Sequence, residues 1–298
     1  MNRREALRFL PFLSAAYLGV TKQSCAHAAW PGQDHRSDQT DGHSQGADSG
    51  WPSAPIGQPQ TMSALIGSTR GCSFQGSALN NGGLSNILIP DQQIPAQLLS
   101  KAHAFNDLLK HVYQLSPGLG FINDATALNA FAVAQNLLPS SQNGTILLGW
   151  HLLNSEYQKS PATWEGAAIL IHAHEFGHIA QFNYFGAMPV TLMELQADAL
   201  AGCVMAHRFI MDSMSNMSLT YVQSMHRAQQ KMGDFAHASN SVFSMGGYDF
   251  NDPNFHGTPQ QRLLAFRFGF QMIAQSTAPQ PIPQIMKFTR QFAQQLLS

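Results

Sequence analysis

The run from Trp164 to Phe185, WEGAAILIHAHEFGHIAQFNYF, constrains this chain more than any other stretch. It is apolar enough to be buried nearly all round, it holds no proline, and its length suits one helix of about six turns. Gly186 beyond it is expected to act as a C-cap, with Pro189 as a stop signal. Yet the run also holds His172, His174, Glu175 and His178. Titratable groups in a buried helix need partners, so the fold must bring donors, acceptors or a cation to this element.

Spacing sorts these residues. Positions i and i+4 share a helix face, so His174 and His178 can grip one metal ion with Glu175 beside it, the H-E-x-x-H arrangement. Zinc in such a site makes water acidic near neutral pH, and a neighbouring carboxylate takes the proton as that water attacks a carbonyl. His172 lies about 200° around the helix from His174 and drops out of the site. A third ligand must come from elsewhere, because Gln181 and Tyr184 occupy the positions where an H-x-x-G-x-x-H extension would need Gly and His.

Glu194, in ELQAD, follows sixteen residues after His178, with Asp198 one turn further on. Glutamate is scarce beyond residue 28, where only Glu156, Glu165, Glu175 and Glu194 occur, so the two motifs absorb half of them. Glu194 can complete a His-His-Glu set, and Asp198 can accept the free N–H of a ligand histidine. A second reading stands beside this one: Thr191-x-x-Glu194 is also a capping-box pattern, in which the glutamate bonds back to the helix start.

The first 28 residues differ from the rest: a basic start with Arg3 and Arg4, a short apolar core, and Ala26-His27-Ala28 before the expected cleavage point. This is an export signal with twin-arginine character, which places the mature chain in the periplasm or outside the cell. Residues 29 to 62 are rich in Gly, Ser, Asp, Gln and Pro with few aliphatic side chains, the composition of a disordered linker. Residues 63 to 298 form the expected folded domain. No run of about 20 apolar residues remains after the signal, so no further span is expected.

Within that domain, residues 93 to 115 repeat their apolar positions at three and four, as an amphipathic helix does. LNAFAVA and TILLGWHLL read as two neighbouring strands around the turn-rich LPSSQNG, and further helices are expected over TLMELQADALAGCVMAHRFIM and PQQRLLAFRFGFQMIAQ. The fold class is therefore α+β, mostly helical with a small sheet. Removing the signal leaves 12 basic and 16 acidic residues, no basic field for phosphates, and so no expectation of nucleic acid as a partner. Cys72 and Cys203 also remain, and either a bridge between them or a buried free thiol at Cys203 fits an oxidising compartment.

HEFGH followed by ELQADALAG resembles the gluzincin metallopeptidases, in particular the bacterial neutral zinc metallopeptidases and the CAAX-protease and heat-shock membrane peptidase family. ALNAFAV with TILLGWHLL is similar to the strand pair before the active-site helix of those enzymes, and MGD with HGTPQQRLLAFRFGF resembles their closing segment. The resemblance, over residues 120 to 270, implies a zincin-like fold with Zn2+ on His174, His178 and Glu194, and Glu175 as general base. It implies an edge strand for extended peptide substrate at Asn129, Ala130 and Phe131. It also implies His256 facing the metal, where a donor stabilises an oxyanion, with Arg262 six residues on; outside the resemblance His256 reads as an ordinary loop histidine. Two function classes stand: an exported soluble zinc metallopeptidase acting on protein or peptide, or a catalytically silent zinc-binding module of the cell envelope.

Overall fold

Apolar periodicity at three and four produces long helices here, and short β-branched runs between turns produce a narrow sheet beside them. The computed structural model describes residues 73–74, 88–125, 128–159, 164–186, 188–217, 219–231, 256–276 and 278–298, all within a unit spanning residues 50–298. The export signal, the linker, Cys72 and the MGD segment lie outside the described residues. The strands are β1 (Ser73–Phe74), β2 (Leu88–Ile89), β3 (Gly118–Ile122), β4 (Phe131–Val133) and β5 (Thr145–Gly149). The helices are α1 (Ala96–Tyr113), α2 (Trp150–Lys159), α3 (Trp164–Tyr184), α4 (Val190–Met217), α5 (Tyr221–Lys231), α6 (Pro259–Ala274) and α7 (Ile282–Gln295). The expected α+β class, mostly helical with a small sheet, is what the described residues form.

The sheet is mixed, in the order β1-β4-β5-β3-β2, with β3 parallel to β5, β4 antiparallel to β5 and β1 parallel to β4. TILLGWHLL does not continue as one strand: β5 stops at Gly149 and α2 begins at Trp150. The cause is Asp124, whose carboxylate accepts from the His151 N–H at 2.7 Å and the Leu152 N–H at 3.1 Å. A carboxylate there satisfies donors that the first turn of a helix leaves open. His151 is thus a helix-start residue.

The expected substrate edge at Asn129, Ala130 and Phe131 is corrected in two ways. β4 starts only at Phe131, because the Asn129 N–H goes to Asp124 at 2.9 Å and the Ala130 N–H to the Asn129 side chain at 2.9 Å. Those bonds divert the backbone donors from a ladder. Nor is β4 an edge, since Ser73 and Phe74 pair with Ala132 and Val133 on its outer side. Gly186 is also not the expected cap: α3 ends at Tyr184, and Gly186 does not take the left-handed conformation.

The core centres on α4, which packs against α3, α5, α6 and α7, while α3 also covers β4 and β5. Trp150, Leu170, Phe176, Phe266 and Phe270 are fully buried there. The closest approach is between α4 and α6, where a Cβ added to Gly269 would stand 1.7 Å from the Ala199 carbonyl oxygen. Only a residue without a side chain lets the two backbones meet this closely. Cys203 is a free, buried thiol in the same contact, its Sγ donating to the Gly269 carbonyl at 3.4 Å, and burial pushes its pKa up. The free-thiol reading of Cys203 therefore holds. Among the described residues no helix is long and apolar enough to cross a membrane.

Candidate metal centre

α3 and α4 face each other with their polar residues on the shared seam. Gly177, the glycine of HEFGH, makes this possible: a Cβ there would meet the Ala197 Cα at 2.9 Å and its carbonyl oxygen at 3.0 Å. With that space free, His174 and His178 on α3 come against Glu194 and Asp198 on α4, and all four are at most 3% exposed. His174 Nε2 lies 3.3 Å from Glu194 Oε2, His178 Nε2 lies 3.4 Å from Glu194 Oε1, and the two Nε2 atoms are 3.2 Å apart.

These three distances decide what the cluster is built for. A four-coordinate ion with bonds of about 2.0–2.1 Å sets its ligand atoms about 3.3–3.4 Å apart, the edge of a tetrahedron. The observed separations match that edge. Both Glu194 oxygens are buried without a hydrogen-bond partner among the described residues, although the histidine nitrogens are close, because the angles are not those of hydrogen bonds. Two imidazole nitrogens and a carboxylate gathered at these separations form a donor set for a metal ion. His174, His178 and Glu194 are the described residues that could hold one.

The capping-box reading of Glu194 is overturned. α4 begins at Val190, which puts Thr191 inside the helix, and the Glu194 oxygens turn towards the histidines rather than back to the helix start. Burial by itself would raise the Glu194 carboxyl, but His178 beside it, with His174 and His256, holds it well below the usual carboxylate range.

Asp198 stands where the spacing put it. Its Oδ1 is 2.8 Å from His174 Nδ1, and since a carboxylate can only accept, that ring nitrogen carries a hydrogen, which in the neutral ring leaves the lone pair on Nε2. Arg262, in the first turns of α6, donates to the same carboxylate through Nε at 2.8 Å and Nη2 at 2.9 Å, a two-pronged buried ion pair. Thr258 holds the start of α6 in a capping box with Gln261, which fixes where Arg262 emerges. Burial, the largest influence on Asp198, raises its pKa, but Arg262 and His174 outweigh it and the carboxyl is held low.

Glu175 is 1% exposed and its Oε2 has no hydrogen-bond partner among the described residues. Its pKa is raised to about 8, chiefly by burial and further by the Glu194 charge, against His174, Arg262 and the Ala132 backbone N–H of β4. A carboxyl poised between its two protonation states near neutral pH can both take and return a proton. His256 brings Nδ1 to 3.0 Å from Glu194 Oε2 and is 18% exposed, more than His174, Glu175, His178, Glu194, Asp198 or Arg262. Every residue expected at the metal is thus brought together, while β4, paired with β1 at Ala132 and Val133, is not the edge of the sheet.

Two residues that spacing arguments passed over also belong to the site. Gln181 sits behind His178, its Oε1 2.8 Å from Nδ1, and Gln196 sits behind Gln181. The available signal was a polar side chain one turn beyond His178 in an apolar run, and a second polar side chain between Glu194 and Asp198. His172, in contrast, faces away from the seam, edge-on to Phe105 of α1 at 5.0 Å, with Nε2 unpartnered among the described residues. Burial, more than nearby His103, lowers its pKa to about 3, so it stays neutral. Comparison with family models, curated proteins and solved structures gave no match.

Proposed function

We propose that this chain is an exported zinc metallopeptidase of zincin-like fold, hydrolysing peptide bonds in protein or peptide substrates. The observation that carries this reading is Glu175: a buried carboxyl with one unpartnered oxygen, next to a tetrahedral-edge donor set of His174, His178 and Glu194. A centre that only stored a metal would have no chemical use for that oxygen. Zinc suits two imidazoles and a carboxylate, and when bound it supplies the Lewis acidity that makes water a nucleophile near neutral pH. The peptide carbonyl approaches from the side of His256. Glu175 takes the proton from the attacking water at Oε2 and returns it to the leaving amine. His256 donates to the oxygen that gains charge on the substrate carbonyl. Asp198 and Gln181 keep the ring hydrogens of His174 and His178 on Nδ1, away from the metal.

The test uses the mature chain and an unbiased peptide library. One equivalent of zinc and chelator-sensitive cleavage are expected. Glu175→Gln keeps the zinc and abolishes cleavage, whereas Glu194→Gln loses zinc. Cleavage by Glu175→Gln at the original rate would sink the mechanism, and bound zinc without any cleavage would leave the silent envelope module as the better reading.

A further inference from the structure

The environment of His178 contains a chain of neutral amides that ends on a different helix. Gln181 Nε2 lies 2.7 Å from the Met193 carbonyl oxygen, and Gln196 Nε2 lies 3.0 Å from the Met286 carbonyl oxygen and 3.3 Å from Thr289 Oγ1 on α7. A backbone carbonyl can only accept, so in each case the amide atom facing it must be the nitrogen. The opposite end of each side chain is then its oxygen. Gln196 turns Oε1 to the Gln181 amide at 3.4 Å, and Gln181 turns Oε1 to His178 Nδ1 at 2.8 Å. An oxygen at that place requires a hydrogen on Nδ1, which in the neutral ring leaves the lone pair on Nε2 facing Glu194.

All five groups are buried: His178, Gln181 and Gln196 are at most 1% exposed, as are Thr289 and Glu194. No alternative partner in water is on hand for a reversed amide. Reversing Gln181 would set its nitrogen against a ring N–H and its oxygen against the Met193 carbonyl, two repulsive contacts in a low-dielectric interior. The direction of the whole chain therefore follows from two carbonyl groups, one on α4 and one on α7.

We infer that Gln181 and Gln196 are positioning residues that fix the ring hydrogen of His178 on Nδ1, and that docking of the C-terminal helix α7 is thereby coupled to metal binding at the centre. This inference rests on the metal-site reading for its consequence but not for its geometry. Coupling is reciprocal: a metal that draws on the Nε2 lone pair favours the arrangement in which α7 is seated, and a seated α7 favours the metal.

The experiment is long-range nitrogen-15 NMR of the histidine rings in the full mature chain after chelator treatment, for the unaltered protein, Gln181→Met, Gln181→Glu, Gln196→Met and the Gln181→Met/Gln196→Met double variant. The unaltered His178 is expected with its hydrogen on Nδ1. Gln181→Met should lose that preference, while Gln181→Glu, which keeps an acceptor at the same place, should retain it. A purely structural role predicts that both substitutions act alike. In a parallel zinc competition, Gln181→Met is expected to weaken binding about 10–100-fold, as removal of a partner behind a ligand histidine does. Gln196→Met should weaken it less, and the double variant should match Gln181→Met alone, because Gln196 acts through Gln181. A hydrogen on Nε2 in the unaltered protein, or additive effects in the double variant, would overturn the inference. If the ring pattern holds and no form binds zinc, the zinc reading falls and the positioning role stands.

Discussion

His174 and His178 sit one turn apart on α3, yet the side chains behind them differ in kind. Behind His174 is a charged pair, Asp198 with the Arg262 guanidinium from α6. Behind His178 is a neutral relay, Gln181 and Gln196, which ends on α7. Both set an acceptor oxygen opposite Nδ1, which calls for a hydrogen there. They differ in what happens when a member is lost, because an orphaned buried charge costs far more than an orphaned amide. The lesson is that equivalent ligands need not be equally vulnerable.

The sharpest way to break this comparison is Arg262→Met. It strands the Asp198 charge in the core, and a loss of about 3–5 kcal/mol of folding stability is expected in urea titration of the chelator-treated protein. A loss below about 1 kcal/mol, the scale of an ordinary net hydrogen bond, would mean the pair is not the charged anchor described. Gln196→Leu tests the neutral side, and about 1–3 kcal/mol is expected from the unsatisfied Gln181 and Met286 groups it leaves. Equal losses for the two variants would erase the distinction.

His172 extends the comparison to a histidine whose Nε2 has no hydrogen-bond partner among the described residues. Its folded pKa is pushed down to about 3 by burial, whereas an unfolded chain titrates near about 6.5. The unfolded state then takes up a proton that the folded state refuses, so the stability contribution is complete above about pH 6.5 and is lost as pH falls towards about 3. At pH 5.5 the loss is about 1.4 kcal/mol. His172→Phe should flatten that part of the stability profile in metal-free protein between pH 7 and pH 4. Burial gives His207, lowered to about 4, the same sign, so a shallower acid limb persists in the variant. The smallest effect belongs to the exposed Lys101–Glu165 pair, whose side chains are 53% and 50% exposed. Lys101→Ala should lower the unfolding free energy read from urea titration by less than about 1 kcal/mol, which separates charge as such from buried charge.

What could be read before the fold was local. Helical spacing placed His174 and His178 on one face and expelled His172, and the E-x-x-x-D spacing brought Glu194 and Asp198 to the same seam. The Asp198–Arg262 pair spans 64 residues and was open to expectation only through the resemblance to the gluzincins. The amide relay was hidden for a related reason. Gln181 is three residues from His178, but its role depends on a Met193 carbonyl and on α7, neither of which leaves a mark in side-chain spacing. The sheet failed at its margins, because β1 is a two-residue pairing, and because Asp124 converts the end of an apolar run into a helix start.

Arg262 also sets the electrical account of the interior. Glu194 and Asp198, both held ionised, carry two negative charges in the core, and the buried guanidinium cancels one of them. Glu175, raised to about 8, adds a further charge only when it gives up its proton, in a medium where such an imbalance is expensive. A cation bound between α3 and α4 would lower that expense and so favour the ionised form of Glu175. Metal loading and the readiness of the base would then be one electrical event, with Arg262 setting the charge balance from which it starts.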